Sequence, residues 1–383
     1  MEILGQTPVQ SILFFTLYGV TGVVPLIAAL YLLLQRANAI APGVTPPVRL
    51  RRWTAAFFAF TALAHLWWLL FLIYSNNLDS LGYQLIVLID SILLLTTIAG
   101  TMLSMLQDRR RPVWPVLAAL LPFVGLFGVY MTNPSHLLQQ IIVFYLLLLS
   151  LLFTVYMVLA IRRYDRWLND NYADLEHKRV WLSQVVAFLC MLVFVLYEVS
   201  EDMVLIYCLH LVDLVLIFLL LWRVETLPSL SLTPDPSPTG EGSEYSHGQK
   251  QADELSTPLP PREGLGESLL DHIEKLLKEY CVAQQIYLQQ DLTLEELAQA
   301  IGTNRSYLSQ YFSRQGYTYN TYINSLRVNH FISRYEEVAK TQQPFTVQQL
   351  AEESGFRSYS TFSRAFTQRM GQSVKAWMQG KGE

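Results

Sequence analysis

Charge is what this 383-residue chain has little of. Asp, Glu, Lys and Arg make up 15% of it and hydrophobic residues 52%, whereas an ordinary soluble domain carries roughly a quarter charged residues. A single globular enzyme is therefore excluded as a description of the whole. Cysteine is scarce too. Cys190, Cys208 and Cys281 show no CxxC spacing, so neither a metal site nor a disulfide framework is expected. HExxH, GxSxG and P-loop motifs are absent, which removes the commonest motif-bearing hydrolases and nucleotide-binding proteins and leaves no catalytic residues to nominate. The net charge of −4 averages over regions that face different solvents and says nothing about partners.

What charge there is falls unevenly. Of 27 Lys and Arg residues, 13 precede residue 225, in short clusters between long apolar runs. About 20 apolar residues in a helix cross a ~30 Å hydrocarbon core. Seven runs reach that length, near 11–35, 53–74, 81–106, 113–131, 137–161, 180–199 and 202–222. The first has no small-residue cleavage site behind it and reads as a span, not a signal peptide. The fourth is interrupted by Pro115 and Pro122, which membrane helices tolerate.

The loops set an orientation. Arg36, Arg49, Arg51 and Arg52 follow the first run, Arg109, Arg110 and Arg111 the third, Arg162, Arg163, Arg166, Lys178 and Arg179 the fifth, and Arg223 the seventh. The alternate loops, around 76–80, 133–136 and 198–202, hold no Lys or Arg. Basic loops stay in the cytoplasm, so the expected topology is a multi-pass protein of the inner membrane with its N-terminus outside and its tail inside. Glu198, Glu201 and Asp202 then lie in a solvated outer turn. Four ionisable residues sit deep in the runs: His65, Asp90, His210 and Asp213. Charge at the midplane is costly, so such groups face a bundle interior and pair there. Two readings stand side by side for them, a polar sensor pocket for a small molecule or proton and a set of structural interhelical hydrogen bonds.

From Leu227 to Glu263 Pro, Ser, Gly and Glu dominate and the apolar period vanishes, the composition of a disordered connector. As a flexible coil it would reach roughly 35 Å. The expected domains are thus 1–226, 227–264 and 265–383.

Helical periodicity resumes with Leu269, Ile273, Leu276, Leu277 and Tyr280. Thr293 and Glu296 form a Thr-x-x-Glu capping box. Leu294, Leu297, Ala298 and Ile301 line one face of the helix it starts, Gly302 can end that helix, and Asn304 can cap the next, which carries Leu308, Tyr311 and Phe312. The pattern repeats with Thr346 and Gln349, Leu350 and Ala351, Gly355, Ser358, Phe362 and Phe366. Short helices joined by a tight glycine-containing turn are a helix-turn-helix signature, and two occur in tandem. Between them 318–340 reads as one helix, whose ~34 Å length equals about one turn of B-DNA and would let the two units enter successive major grooves. The fold class expected is all-α, a seven-helix transmembrane bundle followed by a soluble domain with two helix-turn-helix units. Charge within the tail is segregated. Arg305, Arg314, Arg327 and Arg334 lie in one stretch free of acids, and Arg357, Arg364, Arg369, Lys375 and Lys381 in another, while Glu295, Glu296, Glu352 and Glu353 sit on the supporting helices. That segregation suits a surface facing phosphates.

At these residues the tail resembles the DNA-binding domain of the AraC/XylS family of bacterial transcription regulators. The resemblance rests on Gly355, Phe356, Ser358, Phe362, Ser363, Arg364, Phe366, Gly371, Ser373 and Trp377 in the second unit. In the first it rests on Leu308, Ser309, Phe312, Gly316, Tyr322, Ile323, Asn324, Arg327 and Val328. The interval from Phe312 to Gly316 is one residue shorter than the family pattern, and Val374 stands where proline is usual. The resemblance covers about 267–379 and implies that Arg305, Ser306, Tyr307 and Gln310, and Arg357, Tyr359, Ser360, Thr361 and Arg364, face the groove. Arg305 and Arg364 would contact guanine, while Arg369 and Lys375 would contact phosphate. Promoter DNA and RNA polymerase are the implied partners, beside the lipid bilayer, a second copy of the chain and a small-molecule or membrane signal; no cofactor and no enzymatic activity are implied. The rival reading is a transporter, receptor or intramembrane enzyme whose helical tail binds protein.

Overall fold

The computed structural model describes residues 8–35, 38–74, 81–176, 178–199, 203–230, 267–341 and 344–381. Among them the chain is helical without strands, as expected of an all-α protein, save for one isolated bridge between Tyr172 and Thr293. It divides into two compact units, Met1–Asp165 with His177–Leu232, and Arg166–Glu176 with Thr233–Glu383.

The first unit holds α1 (Pro8–Leu34), α2 (Val48–Tyr74), α3 (Leu81–Met105), α4 (Trp114–Thr132), the larger part of α5 (His136–Asn171), whose residues from Arg166 on belong to the second unit, α6 (Trp181–Val199) and α7 (Met203–Thr226). Among the described residues six helices, against the seven runs expected, are long and apolar enough to cross a membrane; α6 contributes a shorter apolar stretch, Trp181–Cys190. Leucine-rich outer faces make them so. Leu147, Leu151, Val215 and Phe218 are among many large apolar side chains left exposed by the protein itself, as a lipid-facing surface would be. Several hydroxyls inside the helices are satisfied by their own helix: Thr97, Thr101 and Ser104 donate to the carbonyls of Leu93, Thr97 and Gly100. Pro122 does not break α4, which runs unbroken through it. Helices α1 and α2, α2 and α3, α6 and α7, and α1 and α7 pack together.

Several arginines that set the expected topology fix helix ends, Arg51 and Arg223 from within α2 and α7 and Arg111 from the loop after α3. Arg51 pairs at 3.1 Å with the fully buried Glu225, which also accepts from the Tyr31 hydroxyl. Arg111 pairs with Asp108 at 2.6 Å. Arg223 donates to the Ser183 hydroxyl and the Arg179 carbonyl. The chain also stays with this unit beyond residue 226. Gln107 bonds both the Pro228 carbonyl and the Leu230 amide, and Leu227 and Leu230 are buried. Residues 227–230, expected to open the connector, thus pack on this unit, and the rest of the expected connector, 231–266, lies outside the described residues, as do Arg36 and the loop residues 75–80 and 200–202.

The second unit comprises α8 (Glu267–Leu276), a π-helical turn (Leu277–Val282), a 3-10 turn (Ile286–Leu288), α9 (Leu294–Ala300), α10 (Arg305–Arg314), α11 (Tyr319–Thr341), α12 (Val347–Glu353), α13 (Tyr359–Met370) and α14 (Val374–Lys381). It has two cores. Ile273, Leu277, Leu294, Leu297, Leu308, Phe312 and Ile323 fill the first; Val328, Phe331, Leu350, Phe356, Phe362, Phe366 and Trp377 fill the second. Helix α11 enters both, through Ile323 at one end and Val328 and Phe331 beyond it. Each buried Phe or Leu contributes about 1.5–3 kcal/mol, so α11 cannot leave one core without weakening the other. Arg166–Glu176 belongs to this unit, with Ala173 buried in the first core.

Candidate nucleic-acid interface

Two congruent supersecondary units stand at the ends of α11. In the first, the Thr293 hydroxyl accepts from the Glu296 amide at 3.2 Å and the Glu296 carboxylate accepts from the Thr293 amide at 2.8 Å. In the second, Thr346 and Gln349 exchange the same two bonds, both at 3.2 Å. These capping boxes satisfy amide donors that α9 and α12 would otherwise leave bare. Both helices then stop in the same way. Gly302 has φ +73° and Gly355 φ +86°, and the next amide, of Thr303 or Phe356, turns back to the carbonyl of Ala298 or Ala351. Asn304 and Ser358 cap α10 and α13 through side-chain bonds from the Tyr307 and Thr361 amides.

With one face committed to the cores through Leu308, Tyr311 and Phe312 in α10, and Phe362 and Phe366 in α13, the opposite faces point outward. Ser306 and Gln310 are exposed on α10; Tyr359, Ser360 and Arg364 are exposed on α13, and Arg369 lies near its end. Arg364 lines an open recess of about 670 Å³ with Tyr359, Ser360, Ser363, Thr367 and Gln368. Not every nominated residue is so placed. Tyr307 is half-buried and packs on the first core. Arg357 is exposed but paired with Asp291 at 3.4 Å. Arg305 is half-buried and donates through Nε to the Asn171 side chain at 3.0 Å, and the Thr361 hydroxyl donates to Asp174 and Glu176.

Two arginines expected on a phosphate-facing surface serve the fold. Arg327 is fully buried; Nε donates to the Tyr287 carbonyl at 2.7 Å and Nη2 to those of Gln289 and Gln290. Burial lowers its pKa to about 10, so it is charged at neutral pH. Arg334 binds Glu337 and Glu353. The sequence places both in an acid-free stretch, but the carbonyls that hold Arg327 and the Glu353 that holds Arg334 come from other elements, and Glu337 follows three residues later on α11 itself.

Of the four deep ionisable residues of the first unit, the two histidines stand side by side. His65 and His210 approach to 6.3 Å between ring centroids, with the Tyr18 ring 4.8 and 5.9 Å from them. Thr21 bonds His210 Nδ1 at 3.2 Å, and the Tyr18 hydroxyl donates to the His65 carbonyl. Asp90 accepts from the indole N–H groups of Trp67 and Trp68 at 3.1 and 2.7 Å. Asp213 lies half-buried on α7, three residues from His210. Tyr18, Thr21 and the two tryptophans carry no charge, and a search for ionisable residues passes over them. Among the described residues no group of His, Cys, Asp and Glu is arranged to hold a metal.

Two capped helical pairs on a shared central helix, each presenting a polar second helix, define the tandem helix-turn-helix class of DNA-binding folds. Residues 297–380 match the family model of a helix-turn-helix domain, of AraC type, which supports a DNA-binding transcription regulator, a kind of protein not usually enzymatic. No curated protein and no solved structure matches the chain.

Proposed function

We propose that the chain is a membrane-embedded, sequence-specific transcription regulator in which the helical bundle senses a signal and the tethered AraC-type domain binds promoter DNA from the cytoplasmic face. The observation that carries this reading is the pair of congruent, fully capped helix-turn-helix units with their outward polar faces, Ser306 and Gln310 on one and Tyr359, Ser360 and Arg364 on the other. The apolar helices α1–α7 and the one-sided loop arginines support the membrane setting. His65, His210, Tyr18 and Thr21 form the polar contact in the bundle on which a signal would act, with Asp90 and Asp213 as further candidates. RNA polymerase and a second copy of the chain are the protein partners this role calls for.

The test is membrane fractionation combined with genome-wide DNA occupancy of the intact protein. Membrane association with discrete occupied promoters, together with salt-dependent binding of those sites by purified protein, is the expected result. A membrane-bound protein that occupies no discrete site, and whose purified form does not discriminate among duplexes, would overturn this reading and leave the rival protein-binding tail standing.

A further inference from the structure

We propose that the reading face of the tandem helix-turn-helix domain is also a docking surface for an acidic peptide, that its occupant is the segment Asn171–Glu176 of the same chain, and that this segment and DNA exclude one another. The inference rests on the reading of the domain as a DNA binder. It starts from a coincidence of atoms. Ser360 donates to Glu176 Oε1 at 2.7 Å and Thr361 to Glu176 Oε2 at 3.0 Å, and the Ser358 hydroxyl also donates to Glu176. Thr361 shares its hydroxyl with Asp174 at 3.3 Å. On the other unit, Arg305 Nε donates to the Asn171 side chain. These donors cluster at the N-terminal ends of α10 and α13, where helix dipoles favour negative charge and phosphate binds in nucleic-acid complexes.

The segment is held by its backbone as well. Asn320 donates to the carbonyls of Tyr172 and Ala173 at 3.1 and 2.6 Å, and Asn324 to that of Ala173 at 3.1 Å. Ala173 is buried, and Tyr172 bridges to Thr293 at the cap of α9. A stretch of six residues thus reaches the first helix-turn-helix unit, the central helix and the second recognition helix. It presents two carboxylates to hydroxyls of the second unit that the resemblance assigns to DNA. A hydroxyl already donating to a carboxylate has no proton left for a phosphate oxygen, and two nearby carboxylates repel the duplex. DNA affinity is therefore reduced to the undocked fraction of the protein. Asn171 is the last residue of α5, so a displacement of that helix pulls directly on the docked peptide.

The experiment uses full-length protein in detergent. Glu176→Cys with Ser360→Cys should form an intrachain disulfide under mild oxidation, and Glu176→Cys with Ser333→Cys, on an exposed site of α11, should not. A duplex is then selected from a random library by the Asp174→Asn, Glu176→Gln protein. That protein should bind it about tenfold more tightly than the wild type, the scale of one to two hydrogen bonds to charged groups; the oxidised cysteine pair should bind it less well until reduced. Crosslinking no better than the control overturns the docking. Efficient crosslinking with equal affinities for the selected duplex overturns the competition while leaving the DNA reader intact. Efficient crosslinking with no duplex ever selected overturns the DNA-binding reading itself and, with it, the competition.

Discussion

The guanidinium of Arg327 stands over the ring of Phe356, 5.8 Å from its centroid. One residue thereby ties the central helix to the turn of the second helix-turn-helix unit, while its hydrogen bonds reach back to the carbonyls of Tyr287, Gln289 and Gln290. The placement of that turn against the central helix is in this sense held by a buried cation. Arg327→Ala leaves those carbonyls without the donor and opens a cavity beside Phe356, so the domain should lose about 3 kcal/mol or more. Arg327→Lys keeps the charge but cannot span separate carbonyls with a planar fork, and should fall between the two. Pulse proteolysis of the full-length chain in a urea series, following cleavage within 267–381, measures both.

The two turn glycines should not respond alike. A Cβ on Gly302 meets nothing within 4 Å, whereas one on Gly355 would stand 2.7 Å from the Leu288 carbonyl oxygen. Both have positive φ. Gly302→Ala should therefore cost about 1–2 kcal/mol from backbone conformation alone. Gly355→Ala adds a backbone clash costing about 1–3 kcal/mol more. Equal urea midpoints for the two variants would show that the Leu288 turn yields without cost.

His330 gives the domain a pH dependence of definite sign. Partial burial and the neighbouring Arg334 lower its pKa from the ordinary 6.5, and its ring lies near the Tyr287 hydroxyl at 3.5 Å. The unfolded chain then takes up a proton before the folded one does. Its contribution is complete above pH 6.5 and is lost as the pH falls from 6.5 toward the folded value, where the loss levels off. Comparing urea midpoints at about pH 7.5 and about pH 5.5, the wild type should lose stability on acidification, and His330→Gln should lose less.

What the sequence disclosed and what it concealed divide by range. Capping boxes at Thr293 and Thr346, caps at Asn304 and Ser358, and stops at Gly302 and Gly355 involve partners three to five residues apart, and so stand in the sequence as motifs. Apolar helices announce themselves by length. Side-chain partnerships across elements do not. Arg327 resembles any other basic residue in an acid-free stretch until Tyr287, 40 positions away, is found beneath it. Asp90 invites pairing with the histidines, yet α2 supplies Trp67 and Trp68 instead. The loop holding Asp174 and Glu176 reads as basic, because Lys and Arg are what topology rules count, and its acids engage hydroxyls more than 180 positions on.

Arg364 and Arg369 lie on the same helix, and the proposed DNA reading gives them different kinds of contact. Arg364 is exposed at the middle of α13 beside Tyr359 and Ser360, in the recess on that helix, where a guanidinium can reach a base edge. Arg369 is exposed about one and a half turns later, near the helix end, where under the proposed reading it would meet the duplex backbone. Arg364→Ala should lower affinity for a selected site by about 1–3 kcal/mol and flatten discrimination at one base pair. Arg369→Ala should weaken selected and random duplexes alike and reduce the salt slope by about one. Titrations of both variants against both duplexes over a salt series decide the matter. If the two exchange behaviours, α13 lies in the groove with its C-terminal end toward the bases; if Arg364→Ala changes neither affinity nor discrimination, that side chain is not a reader.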